Sequence, residues 1–386
     1  MHRASPTRRG RSPDSGGGWR LPATLLVLLL ASWLALRALP PAWVDEVWAA
    51  RWLPPASAAT AAWIDALPWS LTALAAVGWL GLVVALAIAG PGGTRAARLT
   101  WAAVALLALG PGFELAWGMG YRRTPLEGLL RLPPTPPTAA DAWGALERLA
   151  AVVDASAPRD TTRVELGAAW PPAAFAAASA CVAQADALTT GRLEPLRLPA
   201  GVRRLPAGLL LQGGFSGFQA PWWREPHLDG GLPPMAALAV ALHEFTHAAG
   251  WAREAETDAL AVLAGLACDH PDVRFAAAAH ALLLVRSELG RVAADEAAWR
   301  ERLADTWATL PLAAHATWSA TSAAIARHRS APITRAATVA YDAYLRGQGV
   351  TAGVADYGRA GVLVVAALAR CEDDGTPPWC VAGGAD

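Results

Sequence analysis

Three long apolar runs are the feature that most limits what this chain can fold into. They cover residues 21–39, 67–89 and 99–119. Each is close to the ~20 residues that a helix needs to cross the hydrocarbon core of a bilayer. Because backbone polar groups within a bilayer must be bonded inside the segment, the runs predict three transmembrane helices. Apolar residues make up 54% of the chain, which is high for a purely soluble protein and consistent with membrane spans plus a globular domain. A lipid bilayer is therefore the first predicted partner.

The placement of arginine predicts the orientation of these spans. Residues 1–20 form a basic tail rich in Ser, Pro and Gly, which we expect to be disordered and cytoplasmic. The loop 90–98 carries two arginines, whereas 40–66 carries one arginine and three acidic residues. The positive-inside rule then places everything after the third span on the periplasmic or extracellular side of a bacterial inner membrane. A cleaved signal peptide is the alternative for 21–39, but the run is long for one and lacks a clean cleavage site.

A second constraint is the pentad His243-Glu244-Phe245-Thr246-His247, which follows an apolar run at 236–242. On a helix, His243 and His247 lie on one face and can present two imidazoles to one metal ion. Glu244 beside them can act on a water molecule, as in zinc hydrolases. The alternative is an ordinary amphipathic helix with satisfied histidines. The apolar surroundings argue against it, because buried polar groups need partners.

A catalytic zinc ion usually takes three protein ligands, so a third must come from beyond this helix. Gly250 is placed to end the helix in a left-handed cap, and a second helix should begin near Ala252. Glu254 is the predicted third ligand, because Asp258 then lies on the same face and can accept a hydrogen bond from a ligand histidine. Glu256 is the rival ligand on the opposite face. Both glutamates could instead form a solvated first turn that complements the helix dipole.

The segment HEFTHAAGWAREAETD resembles the HExxHxxGFxxExEAN stretch of an uncharacterised bacterial family, a domain of unknown function in membrane-anchored, zinc-peptidase-like proteins. Residues 113–125, 214–233 and 341–357 are similar to other parts of that family. Asp258 stands where the family usually has Asn. It instead resembles the ExxxD of gluzincin metallopeptidases, in which Glu binds zinc and Asp braces a ligand histidine. The resemblance implies the fold and the site, and it names no substrate.

The rest of the chain completes the predicted organisation. Residues 120–138 are predicted to be a Pro-rich linker, and 139–386 an extracytoplasmic zinc-peptidase-like domain. Most of this domain has helical patterning, but 200–223 has apolar residues broken by paired glycines, which indicates short strands. We expect 208–219 to be an edge strand beside the metal helix that pairs with substrate, or a hairpin that covers the helix. The predicted fold class is therefore mainly α: three N-terminal transmembrane helices, then a helical zincin-like domain with a small hairpin or edge strand.

Two further sets of residues are candidates for supporting roles. The four cysteines lie in the predicted exported part, and Cys371 with Cys380 brackets a short loop that a disulfide could close. Cys181 and Cys268 would form a second pair or remain buried thiols. Hydrolysis also needs a group that stabilises the oxyanion. A single His or Tyr on a helix is more often a core residue, so several candidates remain: His227, His280, His315, Tyr341 and Tyr344.

These features predict a membrane-anchored, zinc-dependent metallopeptidase that cleaves amide bonds of a peptide or protein. One catalytic Zn²⁺ held by His243, His247 and Glu254 would activate water, with Glu244 as the general base. One alternative is a zinc-stabilised envelope scaffold without catalysis, which would have no need for Glu244. Another is a zinc amidase that acts on cell-wall peptides. The formal net charge is zero, so no nucleic-acid partner is expected.

Overall fold

The computed structural model describes residues 19–159, 161–165, 167–295, 298–373 and 379–380. Within them the chain is mainly helical, with one small sheet, as predicted. A π-helix covers Val44–Trp52, and short 3-10 turns include Gly118–Arg122, Leu211–Gly213 and Gly353–Gly358. The predicted disordered tail, 1–20, lies almost wholly outside the described residues. The α-helices in chain order are α1 (Arg20–Arg37), α2 (Pro41–Trp43), α3 (Leu53–Ala66), α4 (Leu71–Ala89), α5 (Arg95–Ala116), α6 (Leu126–Leu129), α7 (Ala139–Ser156), α8 (Pro172–Thr190), α9 (Pro234–Ala248), α10 (Glu254–Leu266), α11 (Pro271–Val292), α12 (Trp299–Ala308), α13 (Leu312–His328), α14 (Ala331–Gly347) and α15 (Arg359–Asp373).

The chain divides into two compact units. The span unit comprises residues 1–39 and 72–116, and the main unit comprises 40–71 and 117–386. Among the described residues, α1, α4 and α5 are long and apolar enough to cross a membrane. They correspond to the predicted runs 21–39, 67–89 and 99–119. The second helix begins four residues later than its run, because Pro68 precedes a short turn rather than a helical stretch.

Within the span unit, α1 packs along α5 around one buried carboxylate. Glu114 is fully buried, and its Oε2 lies 3.6 Å from the Arg37 guanidinium. The Trp33 indole N–H also donates to Glu114 Oε2, at 3.3 Å. Gly110 allows this close approach, since a Cβ added there would lie 3.0 Å from the Trp33 ring. An ionisable group that is costly within apolar surroundings is thus paired by its neighbouring helix.

The main unit begins earlier than the predicted domain, 139–386. Residues 40–66, predicted to be a loop between spans, form α2, the π-helix and α3. Several of their apolar side chains, including Val44, Trp48 and Leu53, are buried. The helical pattern was obscured by the proline pairs at 40–41 and 54–55, although both pairs lie at the start of a helix, where proline is well tolerated.

Residues 120–138 also differ from the predicted linker. Tyr121, Arg123 and Leu126 are buried, and only the later, Pro-rich part runs along the surface. The Arg123 guanidinium stacks over the Trp251 ring at 4.2 Å and lies 3.8 Å from Asp186 Oδ1. A pair of arginines in the sequence gave no sign that one of them is a core residue, because its partners lie far away along the chain.

The core of the main unit surrounds α9 and α10. Apart from Asp258, every residue of α10 is buried, and α10 packs against α8, α9, α11 and α15. A three-stranded sheet of β1 (Arg203–Leu205), β2 (Gly217–Ala220) and β3 (Glu225–Asp229) lies against α9. The buried strand β3 is central, with β1 parallel and β2 antiparallel to it. This sheet leaves β2 as an edge strand beside α9.

Disulfides join distant and local parts of the main unit. Cys181 in α8 is bonded to Cys268 just after α10, which ties two core helices together. Cys371 is bonded to Cys380, and so closes the C-terminal loop bracketed by this pair in the sequence.

The turn between α9 and α10 should be intolerant of any side chain at Gly250. Gly250 has a φ of +93°, and an added Cβ would lie 2.8 Å from Leu53 Cδ2. Gly191, which caps α8 at φ +70°, has no atom within 4 Å of an added Cβ. We expect Gly191→Ala to lower the free energy of unfolding by about 1 kcal/mol, through backbone conformation alone. Gly250→Ala should cost about 2–4 kcal/mol, because overpacking is added. Equal losses in thermal or denaturant unfolding would contradict this packing.

Candidate metal centre

Helix α9 places the two histidines of the pentad on one face. His243 and His247 are one turn apart, and their rings meet edge to face with centroids 4.6 Å apart. Pro234 begins the helix at a position where its missing N–H does no harm, and Gly250 ends it in the left-handed conformation. The chain then turns back, and α10 begins at Glu254. The predicted cap at Gly250 is therefore present, and the second helix starts two residues later than expected.

The turn brings Glu254 onto both imidazoles. Glu254 Oε2 lies 3.1 Å from His243 Nε2 and 3.4 Å from His247 Nε2. One ligand atom from each of the three residues lies within 4.8 Å of the others. Glu256, the rival third ligand, instead pairs with Arg253 at 2.9 Å and faces away. The helical period separates the two glutamates, as the sequence predicted.

Hydrogen bonds on the far side of each ring fix which nitrogen faces Glu254. His243 Nδ1 donates to Asp258 Oδ1 at 2.7 Å, the contact predicted for Asp258. His247 Nδ1 donates to the backbone carbonyl of Trp251 at 2.6 Å. Both Nδ1 atoms therefore carry protons, since their partners only accept. In the neutral rings both Nε2 atoms are unprotonated, and the lone pair of each points at a carboxylate oxygen.

Acceptor atoms this close together repel one another unless a positive charge lies between them. Glu254 Oε2 is buried and accepts no hydrogen bond. Burial lowers the pKa of His243, but Asp258 and Glu254 outweigh it and hold the pKa well above its usual range. Burial likewise raises the pKa of Glu254, but His247 and His243 more than offset this and lower it. A proton can supply the charge, and so can a divalent cation bound to two nitrogens and one oxygen. The donor set fits zinc.

Glu244 lies beside this cluster with its carboxylate unpaired. It is buried, and its Oε2 has no hydrogen-bond partner among the described residues. Burial raises the pKa of Glu244 to about 7, against the lowering effect of His243 and His247. The edge strand β2 passes close by: a Cβ on Gly217 would lie 2.8 Å from Glu244 Oε1. Only glycine lets the strand approach so closely.

A cavity of about 650 Å³ opens onto these groups. His243, Glu244 and Asp258 form part of its wall, and the segment 213–217 forms another part. The predicted edge strand 208–219 is thus too long. Only its end, Gly217–Ala220, is a strand, because Asp229 accepts backbone N–H groups of Gly208, Leu210 and Leu211 and holds the earlier part in a turn.

Two tyrosines from the C-terminal part complete the surroundings of Glu254. Tyr341 in α14 donates a short hydrogen bond to Glu254 Oε1, and Tyr357 also faces this carboxylate. Both line the cavity. Burial and then Glu254 raise the pKa of Tyr341, so its hydroxyl stays a donor. Tyr341 was among the predicted candidates. Tyr357 was missed, since nothing in its local sequence marks it as facing residues a hundred positions earlier.

Of the predicted oxyanion histidines, two lie away from the cavity and one lines it. His227 in β3 is buried, stacks on Phe218 with centroids 4.6 Å apart and lies 3.0 Å from Ser70 Oγ. His315 packs edge to face against Trp318. Neither is part of the cavity wall, so the structure does not place His227 or His315 beside the cluster. His280 does line the cavity, with Nε2 3.6 Å from Asp258 Oδ1.

Fold and site together define a chain with three apolar helices and an α-helical unit that carries a His–His–Glu cluster. The model of a family described as a protein of unknown function (DUF3810) matches residues 56–365, and the chain belongs to this family. That range includes α4, α5, the whole cluster and both tyrosines. No curated protein and no solved structure matches the chain.

The cluster predicts that two neighbouring glutamates differ sharply in their effect on metal binding. Glu254→Gln should lower zinc affinity by more than about 100-fold, because loss of a ligand should exceed the 10–100-fold typical of an outer partner. Glu256→Gln removes a buried carboxylate of the same helix turn and should leave the affinity within about threefold. Competition for zinc between the purified, folded protein and a chromogenic chelator measures both affinities. Equal losses of zinc affinity in the two variants would contradict the assignment of Glu254 as the third ligand.

Proposed function

We propose that this protein is a membrane-anchored, zinc-dependent hydrolase of amide bonds, with gluzincin-like chemistry. His243, His247 and Glu254 hold the ion in this proposal. When bound, zinc supplies Lewis-acid activation of a water molecule and of the substrate carbonyl. The observation that carries the proposal is Glu244: a buried carboxylate with an unpartnered oxygen, beside a three-ligand cluster and open to a cavity.

Glu244 acts as the proton carrier. Burial, which raises its pKa, suits a group that must both take and return a proton at neutral pH. Its carboxylate accepts a proton from the attacking water as the new C–O bond forms. The same proton passes to the nitrogen as the C–N bond breaks, which leaves a carboxylic acid, still carrying the second proton of the water, and an amine. Because Gly217 has no side chain, the strand can lie close against the Glu244 carboxylate. A side chain at this position would displace that carboxylate.

The ligands are held in place by groups that do not react. Asp258 and the Trp251 carbonyl orient the two imidazoles, while Tyr341 orients the Glu254 carboxylate. Such partners fix the ring tautomer and strengthen ligand basicity. A purely structural zinc site has no use for Glu244, and this favours the hydrolase over the envelope scaffold. Peptides and cell-wall peptides both remain within the proposed reaction class.

We propose an extracytoplasmic position for the main unit. If α1, α4 and α5 each cross the bilayer once, residues 40–71 and 117–386 emerge on the same side, as one compact unit requires. The basic N-terminal tail and the arginines of loop 90–98 favour the cytoplasm for the other side. Two disulfides agree with an oxidising compartment. Protease added to spheroplasts should digest the main unit, and digestion only after lysis would reverse the assignment.

Glu244→Gln tests the hydrolase directly. The variant should keep one zinc per chain and lose about 10²–10⁴ in turnover, since the proton carrier is gone and the ligands remain. Zinc content by elemental analysis, and cleavage of a quenched fluorescent peptide mixture with and without chelator, are the measurements. Glu256→Gln is the matched control and should retain activity. Wild-type turnover in Glu244→Gln, with zinc bound, would contradict the mechanism.

A further inference from the structure

The cavity wall beyond the cluster is mostly apolar. Its larger side chains are Leu232, Met235, Val240, Leu283, Trp318 and Ile325. They come from α9, α11 and α13 and from the turn before α9. A cavity of about 650 Å³ with such a wall suits a ligand with several apolar side chains.

Four threonines add a second kind of surface to this wall. Thr317, Thr321 and Thr338 each donate their hydroxyl to the carbonyl four residues earlier. Thr334 donates to the carbonyl of Gln212. Since each hydroxyl has one proton and uses it on the backbone, what remains for the cavity is acceptor capacity. Acceptors along an apolar wall match the N–H groups of a peptide backbone better than a plain hydrocarbon chain.

One cationic side chain lies at the rim of the same cavity. Arg329, at the end of α13, is exposed and is the one arginine in the described cavity wall. Several arginines of the main unit pair with an acid, for example Arg253 with Glu256. Arg329 has no acidic partner, hydrogen-bonded side chain or aromatic ring beneath it among the described residues. Its guanidinium is therefore available to a ligand, and a planar fork of donors suits a carboxylate.

We propose that Arg329 binds the free carboxylate of a short apolar peptide whose other end reaches the metal cluster. This substrate class rests on the proposed hydrolase function. It identifies the substrate as a peptide cut close to its C-terminus, or as a peptide stem that ends in a free acid. Arg329 is then a specificity-determining residue.

The rise of α14 gives a length with which the bound peptide segment can be compared. Ser330, next to Arg329, donates its backbone N–H to the Gln212 carbonyl that also accepts from Thr334. From Thr334 to Tyr341, which touches Glu254, is seven residues, or about 10 Å of helix rise. An extended peptide covers about 3.4 Å per residue, so a segment of about three residues matches this rise.

Binding of N-acetylated apolar tripeptides, as free acids and as C-terminal amides, tests the assignment without requiring turnover. The probes are titrated calorimetrically into full-length protein in lipid nanodiscs. Wild type should bind the acids about tenfold more tightly than the amides, because a charge-assisted contact is lost on amidation. Arg329→Ala should abolish this preference, and Arg329→Lys should restore part of it.

Arg327→Ala is the matched control, since Arg327 is exposed on the same turn but is not part of the cavity wall. It should keep the full preference for the acid. An equal loss in Arg327→Ala would assign the effect to the general charge of the turn, for example toward anionic lipid, and would overturn the proposal. Equal binding of acid and amide by wild type, or binding of neither, would also overturn it. Arg329-dependent binding without any cleavage would leave this inference standing and contradict the hydrolase instead.

Discussion

Three buried acceptor atoms that converge on one point are the constraint on which the rest of the site depends. Two imidazole nitrogens and one carboxylate oxygen lie within 4.8 Å of one another, and the far side of each ring is already occupied. Buried acceptors repel one another unless a proton or a metal cation lies between them. This explains why the carboxylate ligand, its tyrosine partners and the second-helix aspartate are arranged as they are. Each of them either holds one of the three residues in place or adds negative charge beside the cluster.

The surrounding fold serves to keep that arrangement rigid. The carbonyl that orients His247 belongs to Trp251, whose indole N–H donates to the buried Asp186 at 3.0 Å. Arg123 covers the face of the same indole and lies against the same aspartate. The ligand helix is therefore braced by α8 and by the segment that follows the third apolar helix. A ligand set on two short helices needs such support, because small displacements weaken metal binding.

Local periodicity was enough to predict the cluster, and long-range contacts were not predictable in the same way. His243, His247, Glu254 and Asp258 follow from the 3.6-residue repeat, and the turn at Gly250 follows from the preference of glycine for left-handed backbone. The choice between Glu254 and Glu256 could also be made from helix faces. By contrast, Tyr357 and the Trp251 carbonyl reach the site through chain folding, and a carbonyl carries no sequence signal at all. The positions of His227 and His315 could not be predicted for the same reason: a histidine looks alike in sequence whether it packs in a core or lines a cavity.

The proposed function depends on a single divalent ion at this cluster. Anomalous X-ray diffraction at the zinc edge, from crystals of full-length protein purified with zinc, tests it most directly. One peak should lie about 2.0–2.2 Å from His243 Nε2, His247 Nε2 and a Glu254 carboxylate oxygen. No peak there at full zinc loading, or a peak on other residues, would contradict the account.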